Sequence, residues 1–183
     1  MTAAATIWTI GHSTRSLADF VARLEAQRIE LVADVRRFPG SRRHPQFGMD
    51  ALRAGLADAG IAYRHFVALG GRRRPRPDSP NTVWRNEAFR GYADHLGDPD
   101  YRAAFDELCA LACERRCALM CAESLWWRCH RSLIADDFVL HGWTVLHILG
   151  AGVEPHAFRE PARLVDGVPC YGAGQTALFE SPP

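Results

Sequence analysis

Ala118-Leu119-Met120-Cys121-Ala122-Glu123-Ser124-Leu125-Trp126-Trp127-Arg128-Cys129-His130-Arg131 is the key to the architecture. An apolar run, Ala118 to Cys121, enters it, and Leu133, Ile134 and Phe138 leave it at helical spacing. That pattern reads as strand, loop and helix start. Two thiols, a carboxylate, an imidazole and guanidinium groups crowd the turn. In open α/β sheets, ligands bind just beyond the carboxyl ends of the strands, and helix N-termini attract anions. The polar chemistry therefore falls where such a fold places an active site.

Working outward, Ile7–Ile10 reads as a buried strand followed by the turn Gly11-His12-Ser13. Ser16 is placed to cap a helix carrying Leu17, Phe20, Val21 and Leu24. Leu31–Val35 is a second strand, and Met49, Leu52 and Leu56 mark a helix that Gly60 closes. Ile61–Phe66 is a third strand, ending at the turn Leu69-Gly70-Gly71. From Arg72 to about Arg90 periodicity fails, and the Arg/Pro-rich run predicts an exposed flap. Asp98-Pro99 opens a helix with Tyr101, Phe105, Leu108 and Ala112 on its buried stripe. Cys117–Cys121, a helix over His130–His141, and the strand Thr144–Leu149 complete the alternation. Strand–helix alternation predicts a single α/β domain with a mostly parallel sheet flanked by helices, a Rossmann-like three-layer arrangement. The domain is expected over residues 1–170, with an irregular stretch after Gly150 and a flexible tail over 171–183.

Four strand ends carry the candidate site. They supply His12 and Ser13; Asp34, Arg36, Ser41 and Arg42; His65 with Gly70 and Gly71; and Cys121, Glu123, Cys129, His130 and Arg131. In a parallel sheet all four lie on one edge. Glu123, Cys121, Cys129, His130 and Asp34 are the candidate catalytic groups, and the others are candidates for holding phosphate or substrate. Glu123 suits a general acid or base. The thiols suit a nucleophile, a redox pair or metal ligands. A helix dipole and Arg131 would lower the pKa of Cys129. No cofactor is expected from the spacing. Cys121, Cys129 and His130 match none of the close-paired zinc patterns, so zinc or iron ranks below a metal-free site. Of the adjacent Trp126 and Trp127, one indole is expected at the surface, able to stack a base.

Hydrophobic content of 48% and charged content of 23% are those of an ordinary globular chain. No secretory signal or membrane-length apolar run is read, so a cytoplasmic location with reduced cysteines is expected. The 22 basic residues are all Arg, which composition bias explains; their clustering it does not. From Arg36 to Arg76, ten Arg face two Asp, a local balance of +8 in a chain of net charge +1. Such a segment beside a polar site suits nucleic acid or a nucleotide-like phosphate ester.

Thr9-Ile10-Gly11-His12-Ser13, Asp34-Val35-Arg36 with Pro39 and Ser41, Leu69-Gly70-Gly71, and Cys121-Ala122-Glu123 with Cys129-His130-Arg131 resemble the bacterial family called domain of unknown function 488. The resemblance implies a single α/β domain with its site at these strand ends. Some members carry a loose DNA-repair label, and it leaves the chemistry open. Near the end, Gln175-Thr176-Ala177-Leu178-Phe179 resembles the peptide by which bacterial repair proteins dock on the sliding clamp, with Gln175, Leu178 and Phe179 as anchors. The leading expectation is an enzyme directed at nucleic acid or a phosphate ester, a hydrolase or lyase linked to DNA maintenance. A thiol-based redox or sulfur-transfer enzyme and a non-catalytic DNA or clamp adaptor are the alternatives.

Overall fold

The computed structural model describes residues 5–40, 42–150 and 152–172. Its sheet has six strands in the order β3-β2-β4-β1-β5-β6. These are β1 (Thr6–Gly11), β2 (Leu31–Asp34), β3 (Ala62–His65), β4 (Cys117–Cys121), β5 (Thr144–Leu149) and β6 (Gly152–Pro155). The first five run parallel, and β6 is antiparallel to β5. The expected α/β class is correct. Helices α1 (Leu17–Ala26) and α2 (Met49–Asp58) cover one face, where Phe20, Leu24, Leu52 and Leu56 pack on Trp8, Ile10, Val32 and Met120. Helices α3 (Glu87–His95), α4 (Pro99–Glu114) and α5 (Arg131–Leu140) cover the other. None of the described helices is long and apolar enough to cross a membrane.

β4 lies centrally and is buried along all five residues, so it reads as a continuous apolar run rather than an alternation. Its residues nevertheless alternate between faces: Ala118 and Met120 join the α1/α2 core, while Cys117, Leu119 and Cys121 join the α5 core. That parity puts the Cys121 thiol on the side where α5 begins. From β1 the chain crosses toward β2, and from β4 it crosses the opposite way, over β1, to β5. The carboxyl ends of β1 and β4, in register at Gly11 and Cys121, thus flank the topological switch point of the sheet.

Three regions carry more order than the sequence pattern indicates. The flap is exposed at Arg72, Arg74 and Arg76 but is pinned in place. The carboxylate of buried Asp94 accepts from the Arg76 backbone N–H at 2.8 Å, Ser79 Oγ at 2.5 Å and Asn81 Nδ2 at 2.8 Å. Its last part is helical, because Asn86 caps α3 through Oδ1, accepting from Ala88 N and Phe89 N. After Gly150 the chain forms β6 and then a hairpin of β7 (Arg163–Val165) and β8 (Val168–Cys170). Asp166 and Gly167, both at positive φ (51° and 78°), make its two-residue turn. Tyr171, one residue into the expected tail, is fully buried and donates to Asp136 Oδ2 at 2.6 Å.

Candidate active site

Gly11 ends β1 where the loop after β4 passes so closely that a Cβ would fall 1.9 Å from the Glu123 carbonyl oxygen. The ladder continues past the strands: His12 N donates to Cys121 O at 3.0 Å and Ser13 N to Ala122 O at 2.9 Å. This aligns His12 beside Cys121. A short helical turn, Trp126–Arg128, then returns the chain to Cys129 and α5.

The two sulfurs meet at 3.0 Å, with Cys129 donating to Cys121 and no disulfide between them. His130 Nδ1 lies 3.5 Å from Cys129 Sγ. His130 Nε2 lies 2.9 Å from the Val35 carbonyl; a carbonyl only accepts, so that nitrogen carries a proton and donates it. The backbone N–H of Arg131 points at Cys129 Sγ from 3.4 Å. The S–H donated by Cys129 holds the Cys121 thiol well below the ordinary range; His130 and Arg131 add to this and burial opposes it. Burial, then the contact with Cys121, pushes the Cys129 thiol up. The two thiols therefore titrate as one coupled pair, Cys121 shifted down and Cys129 up. The ligand atoms of Cys121, Cys129 and His130 all lie within 4.8 Å of one another, close enough to bind one metal ion.

This group lines a cavity of about 810 Å³. Arg36, Arg42, Arg43, Arg72 and Arg128 line it against one acid, Glu123, so its walls are strongly positive. His12 is stacked on Phe47 at 4.2 Å and donates Nδ1–H to the Ser13 carbonyl at 2.9 Å. Burial lowers its pKa. Arg36 is fixed by buried Asp34, whose carboxylate it meets at 2.6 Å through Nη2 and 2.9 Å through Nε; a third contact is Nη1 to the Phe47 carbonyl at 2.8 Å. Tyr63 also donates to Asp34, at 2.7 Å.

The geometry divides the sequence candidates. His12, Ser13, Arg36, Arg42, Cys121, Glu123, Cys129 and His130 come together around the cavity. Asp34 is saturated by Arg36 and Tyr63, which makes it a positioning group for Arg36. Arg131 is buried beneath the loop, with Nη2 donating to the Glu123 and Ser124 carbonyls at 3.2 and 3.3 Å. His65 bonds the Arg36 carbonyl at 2.8 Å. Gly70 packs on Arg37, and Gly71 packs on the His130 ring. Ser41, Gln175, Leu178 and Phe179 lie outside the described residues. Trp126 is buried, stacked on His147 at 4.3 Å, Trp127 is half-buried, and neither lines the cavity. Sequence reading missed Phe38, Arg43, Arg72, Phe89 and Arg128 as cavity residues. For Phe38, Arg43 and Arg128 the density of Arg and aromatic residues in the loops after β2 and β4 was the available signal; Arg72 follows β3 and Phe89 lies in α3.

Fold and site together define an open α/β domain with a Cys–Cys–His centre at the switch point of its sheet. Residues 16–138, more than half of the chain, match the family model described as a domain of unknown function, DUF488, and the chain belongs to that family. No curated protein and no solved structure matches it.

Proposed function

We propose that this protein is an enzyme acting on a phosphate-bearing ligand, of nucleotide or nucleic-acid kind, through the sulfurs of Cys121 and Cys129. One observation carries this reading: two sulfurs and an imidazole nitrogen lie within 4.8 Å of each other on a cavity walled by five arginines. Cys121 is the reactive sulfur, Cys129 its hydrogen-bonding partner, and His130 Nδ1 the nearby proton acceptor. Arg42, Arg43 and Arg128 neutralise the ligand's charge, Arg36 being already paired with Asp34, and Glu123 is the candidate acid or base on the wall. A role in DNA maintenance and docking of Gln175, Leu178 and Phe179 on a sliding clamp belong to the same proposal, as does a reducing cytoplasmic setting for the thiols.

A second reading has its own support. His130 gives its Nε2 proton to a backbone carbonyl, the arrangement that orients a metal-ligating imidazole. Zinc or iron held by Cys121, Cys129 and His130 would keep a fourth position open to the cavity.

Alkylation of Cys121 and Cys129, followed by mass spectrometry with and without phosphate esters or short oligonucleotides, tests the first reading. Protection by these compounds, with loss of turnover in Cys121→Ser and Glu123→Gln, is expected. Unprotected thiols, or full activity in both variants, would refute it. Elemental analysis separates the second reading: near one equivalent of zinc or iron, lost in Cys129→Ser, establishes a metal centre.

A further inference from the structure

Phe38 is the most exposed of the large hydrophobic residues described, at 63%. It stands on the lip of the cavity in the loop after β2. Two guanidinium groups flank its ring, Arg37 at 5.7 Å and Arg72 at 5.8 Å from the centroid. The Arg37 guanidinium is held by a further contact, in which its Nη1 donates to the Arg72 backbone carbonyl at 2.9 Å. Arg72 adopts φ +61°, a left-handed conformation uncommon for a non-glycine residue. Strain of this kind gathers at ligand clamps. A smaller adjoining cavity of about 210 Å³ shares Phe38 and Arg72 with the large one and reaches Cys121 and His130. An exposed aromatic platform is therefore continuous with the thiol centre.

We propose that Phe38, with Arg37 and Arg72, is a stacking subsite for an unpaired nucleobase, so that the ligand of the cavity is a nucleotide unit. The proposal rests on the phosphate reading of the cavity. Bases stack on aromatic rings and on guanidinium planes alike. The flanking guanidiniums can also donate to the oxygen and nitrogen acceptors on a base edge, which a simple phenyl group does not offer. A base paired inside a duplex has both faces occupied by its neighbours. The platform thus selects a mononucleotide or the unpaired end of a strand.

The test is calorimetric titration of the wild type, Phe38→Ala, Phe38→Trp and Arg42→Ala at low salt. The probes are guanosine 5′-monophosphate, ribose 5-phosphate, phosphotyrosine and a single-stranded heptanucleotide. Phe38 is exposed, so its replacement leaves folding intact. Guanosine 5′-monophosphate should bind the wild type at least tenfold more tightly than ribose 5-phosphate. Phe38→Ala should remove about 5- to 150-fold of that affinity, the range for one stacked base. It should leave ribose 5-phosphate binding unchanged, and Phe38→Trp should restore nucleotide binding. A heptanucleotide bound tenfold more tightly than the mononucleotide assigns the subsite to a strand end; equal binding assigns it to a free nucleotide. Equal affinity for nucleotide and ribose 5-phosphate, each weakened in Arg42→Ala, would overturn the stacking subsite and leave the phosphate reading standing. Binding of none of the probes would overturn both. Phosphotyrosine binding more tightly than the nucleotide would overturn the subsite in favour of a phosphopeptide.

Discussion

Replacing Asp136 by Ala should destabilise the fold severely, although Asp136 does not line the cavity. It sits in the buried part of α5, and its carboxylate accepts from His156 Nε2 at 2.6 Å and from Tyr171 Oη at 2.6 Å. A carboxylate only accepts, so His156 carries a proton on Nε2. His156 Nδ1 in turn lies 2.9 Å from His147 Nε2, and His147 Nδ1 lies 2.6 Å from Thr9 Oγ1. The chain links β1, β5, α5 and the segment after β8, and Trp126 of the site loop stacks on its middle. Removing the carboxylate orphans two buried donors at about 1–3 kcal/mol each, so the loss is about 2–6 kcal/mol. At about 2–4 °C per kcal/mol for a chain of this size, the melting temperature should fall by about 4–24 °C. Asp136→Asn keeps the volume and one acceptor and should lose about half as much. Thermal and urea unfolding read the stability, and a red shift of tryptophan emission reads the release of Trp126. If Asp136→Ala lies within about 1 kcal/mol of the wild type with unchanged emission, the chain is not a structural tie and the reasoning fails.

Three other predictions follow from close contacts and buried imidazoles. Gly11→Ala puts a Cβ 1.9 Å from the backbone oxygen of Glu123, so the loop must move by more than an ångström; about 1–3 kcal/mol should be lost in urea unfolding, and Cys129 alkylation should accelerate. Gly71→Ala meets the His130 ring at 2.8 Å from Nδ1; stability should change little, while ligand protection of the thiols, or metal content, should fall about 10- to 100-fold. Burial, then His156 and Arg131, lowers the pKa of His147 from 6.5 to about 2, so the unfolded chain binds the proton first as pH falls. Its contribution is complete above pH 6.5 and declines below it by about 1.4 kcal/mol per pH unit, a slope that His147→Gln should reduce in unfolding measured from pH 7 to 4.

The five parallel strands and four of the five helices were legible because their signals are local. Ser16 and Asp98 precede helices, and β4 carries a continuous apolar run. The meeting of Cys121 with Cys129 followed from strand, loop and helix in sequence. What escaped was signalled weakly or overshadowed. Asn86 marks the start of α3, but it follows an Arg/Pro-rich run that masks the change of pattern. Val165-Asp166-Gly167-Val168 holds a recognised hairpin dipeptide between very short strands. The inward turn of Asp136 and Asp137 was not readable from α5, because apart from His141 their partners lie 20 to 36 residues away in sequence, in His156, Tyr101, Arg102 and Tyr171.

The same long-range contacts explain why the site sits on a rigid base despite lying in loops. The loop from Ala122 to Arg128 is held from three directions by groups that do not line the cavity. Gly11 lets it pass against β1, Arg131 donates to two of its carbonyls from below, and Trp126 Nε1 bonds Glu154 of β6 at 2.7 Å while its ring covers His147. On the other side, Asp34 performs for Arg36 what the Val35 carbonyl performs for His130: each fixes the orientation of a charged or nucleophile-facing group through a contact made outside the cavity. Preorganisation of this kind lets an electrostatic site act without reorganising as charge develops. It also separates the consequences of substitution. Changes at Phe38, Arg42 or Glu123 should alter ligand binding or turnover with the fold intact, whereas changes at Asp34, Arg131 or Asp136 should alter both together, because those residues hold the frame on which the chemistry depends.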